Sequence, residues 1–170
     1  FNFLINIIYQ YDRNIQVSTY KWETMGLFPA LAKAQENGLK IAFLAYTYGT
    51  NGIDLPNGKE YCINLIDKDL IKRQLDLAKQ EKPDIICVNM HWGEEYQVRP
   101  NDEQLDLERF LFENGVDIIL GSHPHVLQGF EYYNGVPIVY SMGNFIFNNR
   151  TTDSMMVEVT LNDNLTCSIR

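Results

Sequence analysis

The chain reads as an α/β protein, with a mostly parallel sheet followed by antiparallel hairpins. Apolar runs over residues 39–46, 84–90 and 116–120 alternate with two amphipathic stretches of helical period, the order expected when parallel strands are joined by crossover helices. The last third changes character and offers two turn-centred pairs of strand-like segments. A length of 170 residues suits one domain able to bury a substantial core.

Phe1, Phe3, Ile5 and Ile7 alternate with Asn2, Leu4 and Asn6, which predicts a strand with one apolar face. Residues 9–21 have no period and read as a loop. From Gly26 a helix is expected, with Pro29 in its first turn, Leu31 and Ala34 on one face and Asn37-Gly38 as its stop. Strand 39–46 follows. Residues 47–60, holding three glycines and Pro56, read as a long surface loop. Asp67 is placed to cap a helix over 68–80, whose Ile71, Leu75 and Ala78 share a face. Lys82-Pro83 ends it and feeds the strand to His91. Asn101 with Gln104 three residues on is a capping signature, Leu107, Phe110 and Leu111 supply a buried stripe, and Asn114-Gly115 closes that helix. After strand 116–120, Phe130-Glu131-Tyr132-Tyr133 and Pro137-Ile138-Val139-Tyr140 flank Asn134-Gly135 as a hairpin. A second hairpin is expected from 155–161 and 165–169 around Asn162-Asp163-Asn164.

Composition excludes several classes. The net charge of −8 argues against nucleic acid or an anionic membrane surface as the main partner, because the long-range field repels both. No apolar stretch approaches a bilayer span, and no basic region precedes residues 1–8 to make them a signal peptide. The chain starts with Phe rather than Met and is expected to be a piece of something longer. Cys62, Cys87 and Cys167 are widely separated and odd in number, so free thiols are expected and the redox compartment is not legible from them.

The chain has three histidines, and each stands just past an expected strand. His91 follows the run ending in Met90; His123 and His125 lie in Gly121-Ser122-His123-Pro124-His125 after Ile118-Ile119-Leu120. In parallel sheets, ligands gather at the carboxyl ends of strands. Pro124 biases His123 towards an extended conformation, so 123 and 125 are expected in a strand-like segment projecting to one side. A single histidine is more often a hydrogen-bonded structural residue than a ligand. Three of three at strand ends favour a metal site, and imidazole suits zinc, manganese, iron and nickel alike. Glu95 or Glu94 can serve as base or further ligand, with a solvated loop face as the plain alternative. Arg99 can meet an anion or be an ordinary surface arginine, Trp92 can wall the site or belong to the core, and Asn144 can support the histidines or simply end a strand.

Val88-Asn89-Met90-His91-Trp92-Gly93, then Gly121-Ser122-His123-Pro124-His125-Val126-Leu127-Gln128, then Tyr140-Ser141-Met142-Gly143-Asn144-Phe145 resemble the closing motifs of the CapA-type poly-γ-glutamate capsule synthesis proteins. The resemblance runs from about Gly26 to Phe147; residues 1–25 stay unassigned within one domain covering 1–170. It implies a calcineurin-like, metallophosphoesterase-type layered αββα fold, of which this chain is the C-terminal portion. It also implies that His91 and His123 bind one metal and His125 another, the ion being divalent Mn, Zn or Fe, with Glu95 and Asn144 assigned to the chemistry. Glu95-Tyr96 matches the family's usual Glu-Tyr after His-Trp-Gly, which favours Glu95 over Glu94.

The earlier family blocks, a Gly-Asp, an Asn-x-Glu and an Asn-Asn-His, are absent here, and Asp12 and Asp54 lack their context. Either the N-terminal half of the fold lies outside these residues or the chain is a shortened homologue. Two functions remain open. One is a metal-dependent hydrolase or transferase acting on a phosphoester or acyl-phosphate. The other is a non-catalytic part in assembly or export of an anionic polymer. The resemblance implies a membrane-associated, extracytoplasmic protein working with the membrane proteins of a capsule synthase. An exposed sheet edge would invite a homo-oligomer.

Overall fold

Burial follows from alternation in the central strands: along Ile85–His91, residues 86, 88 and 90 face one apolar cluster while 85 and 87 face another. The computed structural model describes residues 32–36, 39–55, 57–59, 63–144, 153, 155–161 and 166–169. Its main sheet contains β1 (Ala32–Glu36), β2 (Leu39–Thr47), β3 (Ile85–His91), β4 (Ile118–Ser122), β5 (Leu127–Tyr133) and β6 (Val136–Met142). The strand order is β1-β2-β3-β4-β6-β5. Neighbours from β2 to β6 run parallel, and the outer strands β1 and β5 pair antiparallel. Short strands β7 (Val159–Leu161) and β8 (Cys167–Ile169) form a separate antiparallel pair.

Helices α1 (Lys68–Gln80) and α2 (Asp102–Glu113) cover one face of the main sheet. Asp67 caps α1 by accepting from the Leu70 amide at 2.6 Å. In α2 the Asn101 side chain accepts from the Gln104 amide while Gln104 accepts from the Asn101 amide, a reciprocal capping box. Ile71, Leu75, Leu107 and Leu111 are buried against Val88, Met90 and Ile119. Each such side chain contributes roughly 1.5–3 kcal/mol relative to exposure. On the opposite face Ile85, Cys87, Ile118 and Val139 pack with Cys167, Met155, Val157 and Val159. The α/β class is therefore as expected, and the described residues stack as helices, large sheet and small sheet. Cys87 and Cys167 are free and buried. No helix among the described residues is long and apolar enough to cross a membrane.

One sequence expectation fails. Residues 32–36, assigned to a helix beginning at Gly26, form β1, paired with β2 from Ala32↔Phe43 to Glu36↔Leu39. The apolar spacing of Leu31 and Ala34 was too sparse to decide the period, whereas Asn37-Gly38 is a dipeptide favoured in two-residue hairpin links. The remainder of that helix and the strand expected over 1–7 lie outside the described residues.

The sheet is drawn tightest at Gly121. A Cβ there would meet the Tyr140 carbonyl oxygen at 2.0 Å and Trp92 Nε1 at 2.6 Å. The Trp92 indole occupies that space and donates to the Tyr140 carbonyl at 3.0 Å, so Trp92 belongs to the core and not to a site wall. Gly121→Ala is expected to destabilise the protein by about 3 kcal/mol through overpacking and loss of the indole bond. Urea unfolding reads this directly, and an unchanged midpoint would show that the strands can part there without cost.

The Tyr140 hydroxyl lies in hydrogen bonds with Glu108 of α2 and Glu131 of β5. Burial pushes the Glu108 carboxyl above the usual carboxylate range and Glu131 adds to this, while the Tyr140 hydroxyl and Arg109 oppose it. The unfolded chain therefore ionises at Glu108 first as pH rises, from about 4.3, and stability falls across the window up to the raised folded value. Glu108→Gln is expected to flatten that decline. Unfolding free energies measured at several pH values check it, and parallel wild-type and variant curves would refute it.

Candidate functional site

The carboxyl ends of β2, β3 and β4 lie side by side, with Thr47 opposite His91 and His91 opposite Ser122. Backbone bonds continue the alignment past the strands: the Tyr48 amide donates to the His91 carbonyl at 2.9 Å and the Trp92 amide to the Ser122 carbonyl at 3.1 Å. This register brings the histidines together. The ring centroids of His91 and His123 are 4.7 Å apart and those of His123 and His125 are 5.9 Å apart.

His123 and His125 converge by a different backbone from the strand-like one expected. His123 has φ +103° and His125 φ +59°, both in the left-handed region that side chains other than glycine rarely adopt. Pro124 restricts its neighbour only locally, and tertiary bonds override that bias. The Tyr96 amide donates to the Pro124 carbonyl at 2.7 Å, and Asn144 Nδ2 donates to the His125 carbonyl at 3.3 Å. Such conformations store roughly 1–3 kcal/mol each and persist where surrounding bonds over-determine them.

The donor atoms of Glu95, His123 and His125 all lie within 4.8 Å of one another. Glu95 is exposed, His123 buried and His125 half-buried. His91, expected as a metal ligand, is not in this close set; its ring touches that of His123, and its Nδ1 lies 3.2 Å from Ser122 Oγ. His125 Nδ1 lies 2.6 Å from Asn144 Oδ1. An amide oxygen only accepts, so the proton in this bond is on His125 Nδ1, which leaves Nε2 as the nitrogen that faces a ligand.

The electrostatics favour neutral rings. Burial, reinforced by His123 and His125, lowers the pKa of His91 to about 4. Burial also lowers that of His123, against an upward pull from Glu95 and with His125 adding to the lowering. Neutral imidazoles and one carboxylate are the protonation states a divalent metal requires of its ligands. Two histidines and a glutamate form a donor set suited to zinc or iron with positions left open, so the residues fit the group.

Two tyrosines border the histidines. Tyr48 stacks on His91 at 5.7 Å and tilts against His123 at 4.2 Å, while Tyr96 stacks on His125 at 6.0 Å. Tyr48 lies in the segment expected as a long surface loop, and its position just beyond β2, in the row that ends at His91, is the sequence signal for its place here. Glu94 and Arg99 are exposed on the same loop as Glu95 but are not in the close donor set.

The bond from Asn144 to His125 predicts a single tautomer. Long-range proton–nitrogen NMR should show His125 protonated on Nδ1 in the wild type and a mixture of tautomers in Asn144→Leu. An identical tautomer in both would remove Asn144 from the site.

The family model described as bacterial capsule synthesis protein PGA_cap matches residues 20–149. The chain is 38% identical over 134 residues to "Capsule biosynthesis protein CapA" of Bacillus anthracis, covering 75% of this chain and 33% of that protein. It is 40% identical over 141 residues to "PGA biosynthesis protein CapA" of Bacillus subtilis strain 168, covering 75% of this chain and 34% of that one. A shorter match, 33% identical over 72 residues, covers 41% of this chain and 18% of a "Probable polyglutamine synthesis accessory protein" of Mycobacterium tuberculosis. The chain thus spans about a third of the length of the two CapA relatives. The matched segment contains every residue of the histidine cluster together with Glu95 and Asn144, and on that extent the chain belongs to the bacterial capsule synthesis protein family PGA_cap.

Proposed function

We propose that this chain supplies a metal-binding part of a protein for biosynthesis of an anionic capsule polymer of the poly-γ-glutamate kind. The observation that carries the proposal is the convergence of Glu95, His123 and His125 donor atoms within 4.8 Å at the carboxyl end of a parallel sheet. His123 and His125 hold a divalent ion, Mn, Zn or Fe, with Glu95 as third ligand or base and His91 beside them. The names of the relatives support the polymer.

The chemistry follows from charge. A protein of net charge −8 repels an anionic polymer or phosphorylated substrate at long range, so attraction must be local. When bound, the metal supplies that local positive charge and polarises a phosphoryl or acyl-phosphate oxygen. His91 and His123 stay neutral and available as donors because burial disfavours their charged forms. Asn144 fixes the His125 ring, and Glu95, whose carboxylate lies beside His123 and His125, would serve as the base towards a water. The reaction class is hydrolysis or transfer at a phosphoester or acyl-phosphate, in an extracytoplasmic protein working beside the membrane proteins of a capsule synthase. Among the described residues β1 and β5 are the outer strands, and a second copy would pair at such an edge.

A non-catalytic assembly role is the second reading. It is favoured by the relatives' printed names, which speak of biosynthesis and of an accessory protein. Elemental analysis of the intact protein, purified without chelator or histidine tag, separates the readings. Stoichiometric metal is expected in the wild type and none in the combined His123→Ala, His125→Ala variant. A metal-free wild type would sink the metal-binding proposal. Metal-loaded protein should hydrolyse p-nitrophenyl phosphate or acetyl phosphate, with Glu95→Gln slower by about 100-fold. Bound metal without turnover of either compound would leave the assembly role.

A further inference from the structure

The loop between β3 and α2 carries Glu95 and Tyr96, and its own residues tie it to the histidines at Tyr96, through the amide bond to the Pro124 carbonyl and the ring stacked on His125. It is exposed from Glu94 to Arg99 and interrupts regular structure. What holds the residues after Tyr96 lies behind the loop. Gln128 is the second residue of β5, three residues beyond His125, and is 2% exposed. Its Nε2 donates to the Gln97 carbonyl at 2.9 Å and to the Arg99 carbonyl at 3.1 Å. Its Oε1 accepts from Gln104 Nε2 at 2.9 Å, and Gln104 is fully buried in the first turn of α2. Gln104 Oε1 in turn accepts from the Asn101 amide at 3.1 Å, at the loop's far end. At the near end Gly93 lies flat on the same amide, since a Cβ there would meet Gln104 Oε1 at 2.5 Å.

We propose that Gln104 and Gln128 are positioning residues for the candidate metal set, a buried amide clasp that holds the Glu95 loop against the His123–His125 segment. The inference rests on the metal-binding reading above and deepens it. Neither glutamine is in the donor set, yet together they bond the second half of the Glu95 loop, at Gln97, Arg99 and Asn101, and attach it to the strand that leaves His125, while Gln104 packs against Gly93 at the near end. The amides suit this task because each uses its oxygen and nitrogen at once. Gln128 joins the loop to the His125 segment, and Gln104 joins both to the capped end of a rigid helix. Without Gln128 the loop retains the Tyr96–Pro124 and Trp92–Ser122 backbone bonds, which fix its first half only.

The test compares Gln128→Met, nearly isosteric but unable to donate, with wild type and with Leu75→Ala, a core change on α1 remote from both loops. Intact protein is titrated with Co2+, followed by visible absorption, and amide exchange is measured over residues 93–99. Gln128→Met is expected to weaken Co2+ binding at least tenfold, the range typical of supporting residues around metal sites, and to speed exchange at Gln97 and its neighbours. Leu75→Ala should lower Tm while leaving Co2+ affinity within about twofold. Equal affinity in wild type and Gln128→Met, or an equal loss in Leu75→Ala, would overturn the proposal. Should Gln128→Met not fold, Gln104→Met, which keeps both bonds to the loop carbonyls, should show a smaller loss in the same direction, and no loss there overturns the clasp. If the wild type binds no Co2+, it is the metal reading that fails. The clasp is then judged by exchange alone, and unchanged exchange over 93–99 in Gln128→Met refutes it.

Discussion

A single close approach governs how this sheet is assembled. Where β4 passes Trp92 and β6, there is room for a hydrogen atom but not for a methyl group, and the Trp92 indole bridges to the Tyr140 carbonyl across that gap. The residue that makes the bridge follows His91, and the glycine that permits it precedes Ser122 by one and His123 by two. The relative placement of the histidines is therefore tied to core packing. The same indole fills the helical face of the sheet, so the energy that drives burial also sets the site's register.

Beyond the strand ends the chain departs from regular structure at a cost. Two histidines with positive φ flank Pro124, and Tyr96 shares that conformation on the facing loop. Backbone bonds between the loops offset this strain, as does the Asn144 side chain, which bonds both the ring and the carbonyl of His125. Strained residues that are so thoroughly tied down concentrate at functional sites because the geometry demanded there is not one the backbone prefers. Desolvation acts in the same direction by keeping His91 and His123 neutral, the form in which imidazole can donate an electron pair.

Two buried glutamines are unusual in their placement and have both side-chain groups paired. Gln104 and Gln128 are buried, and a buried amide is costly unless each of its groups is paired. Their partners are one another and the backbone of Gln97, Arg99 and Asn101 in the second half of the Glu95 loop, so the energetic penalty for leaving either unpaired is coupled to that loop's position. The Glu108–Tyr140–Glu131 cluster, by contrast, lies between α2 and the last strands and takes no part in the histidine group. One polar network serves the site and the other serves the packing of a helix on the sheet.

Sequence alone determined the parts of this protein in which neighbouring residues decide the outcome. The caps at Asp67 and Asn101, both helices, the apolar central strands and the Asn134-Gly135 hairpin are local in origin, and so is the placing of each histidine at a strand's end. Residues 32–36 were misread because a short stretch with few apolar positions takes its structure from the strand it pairs with. Tyr48 against two imidazoles, the left-handed backbone at His123 and His125, the grouping of Glu95 with them and the pairing of Gln104 with Gln128 were decided only by tertiary structure. Each of these joins residues from different strand ends or loops, and their distances depend on strand order and register, which arise when the whole sheet packs and not from any one segment's preference.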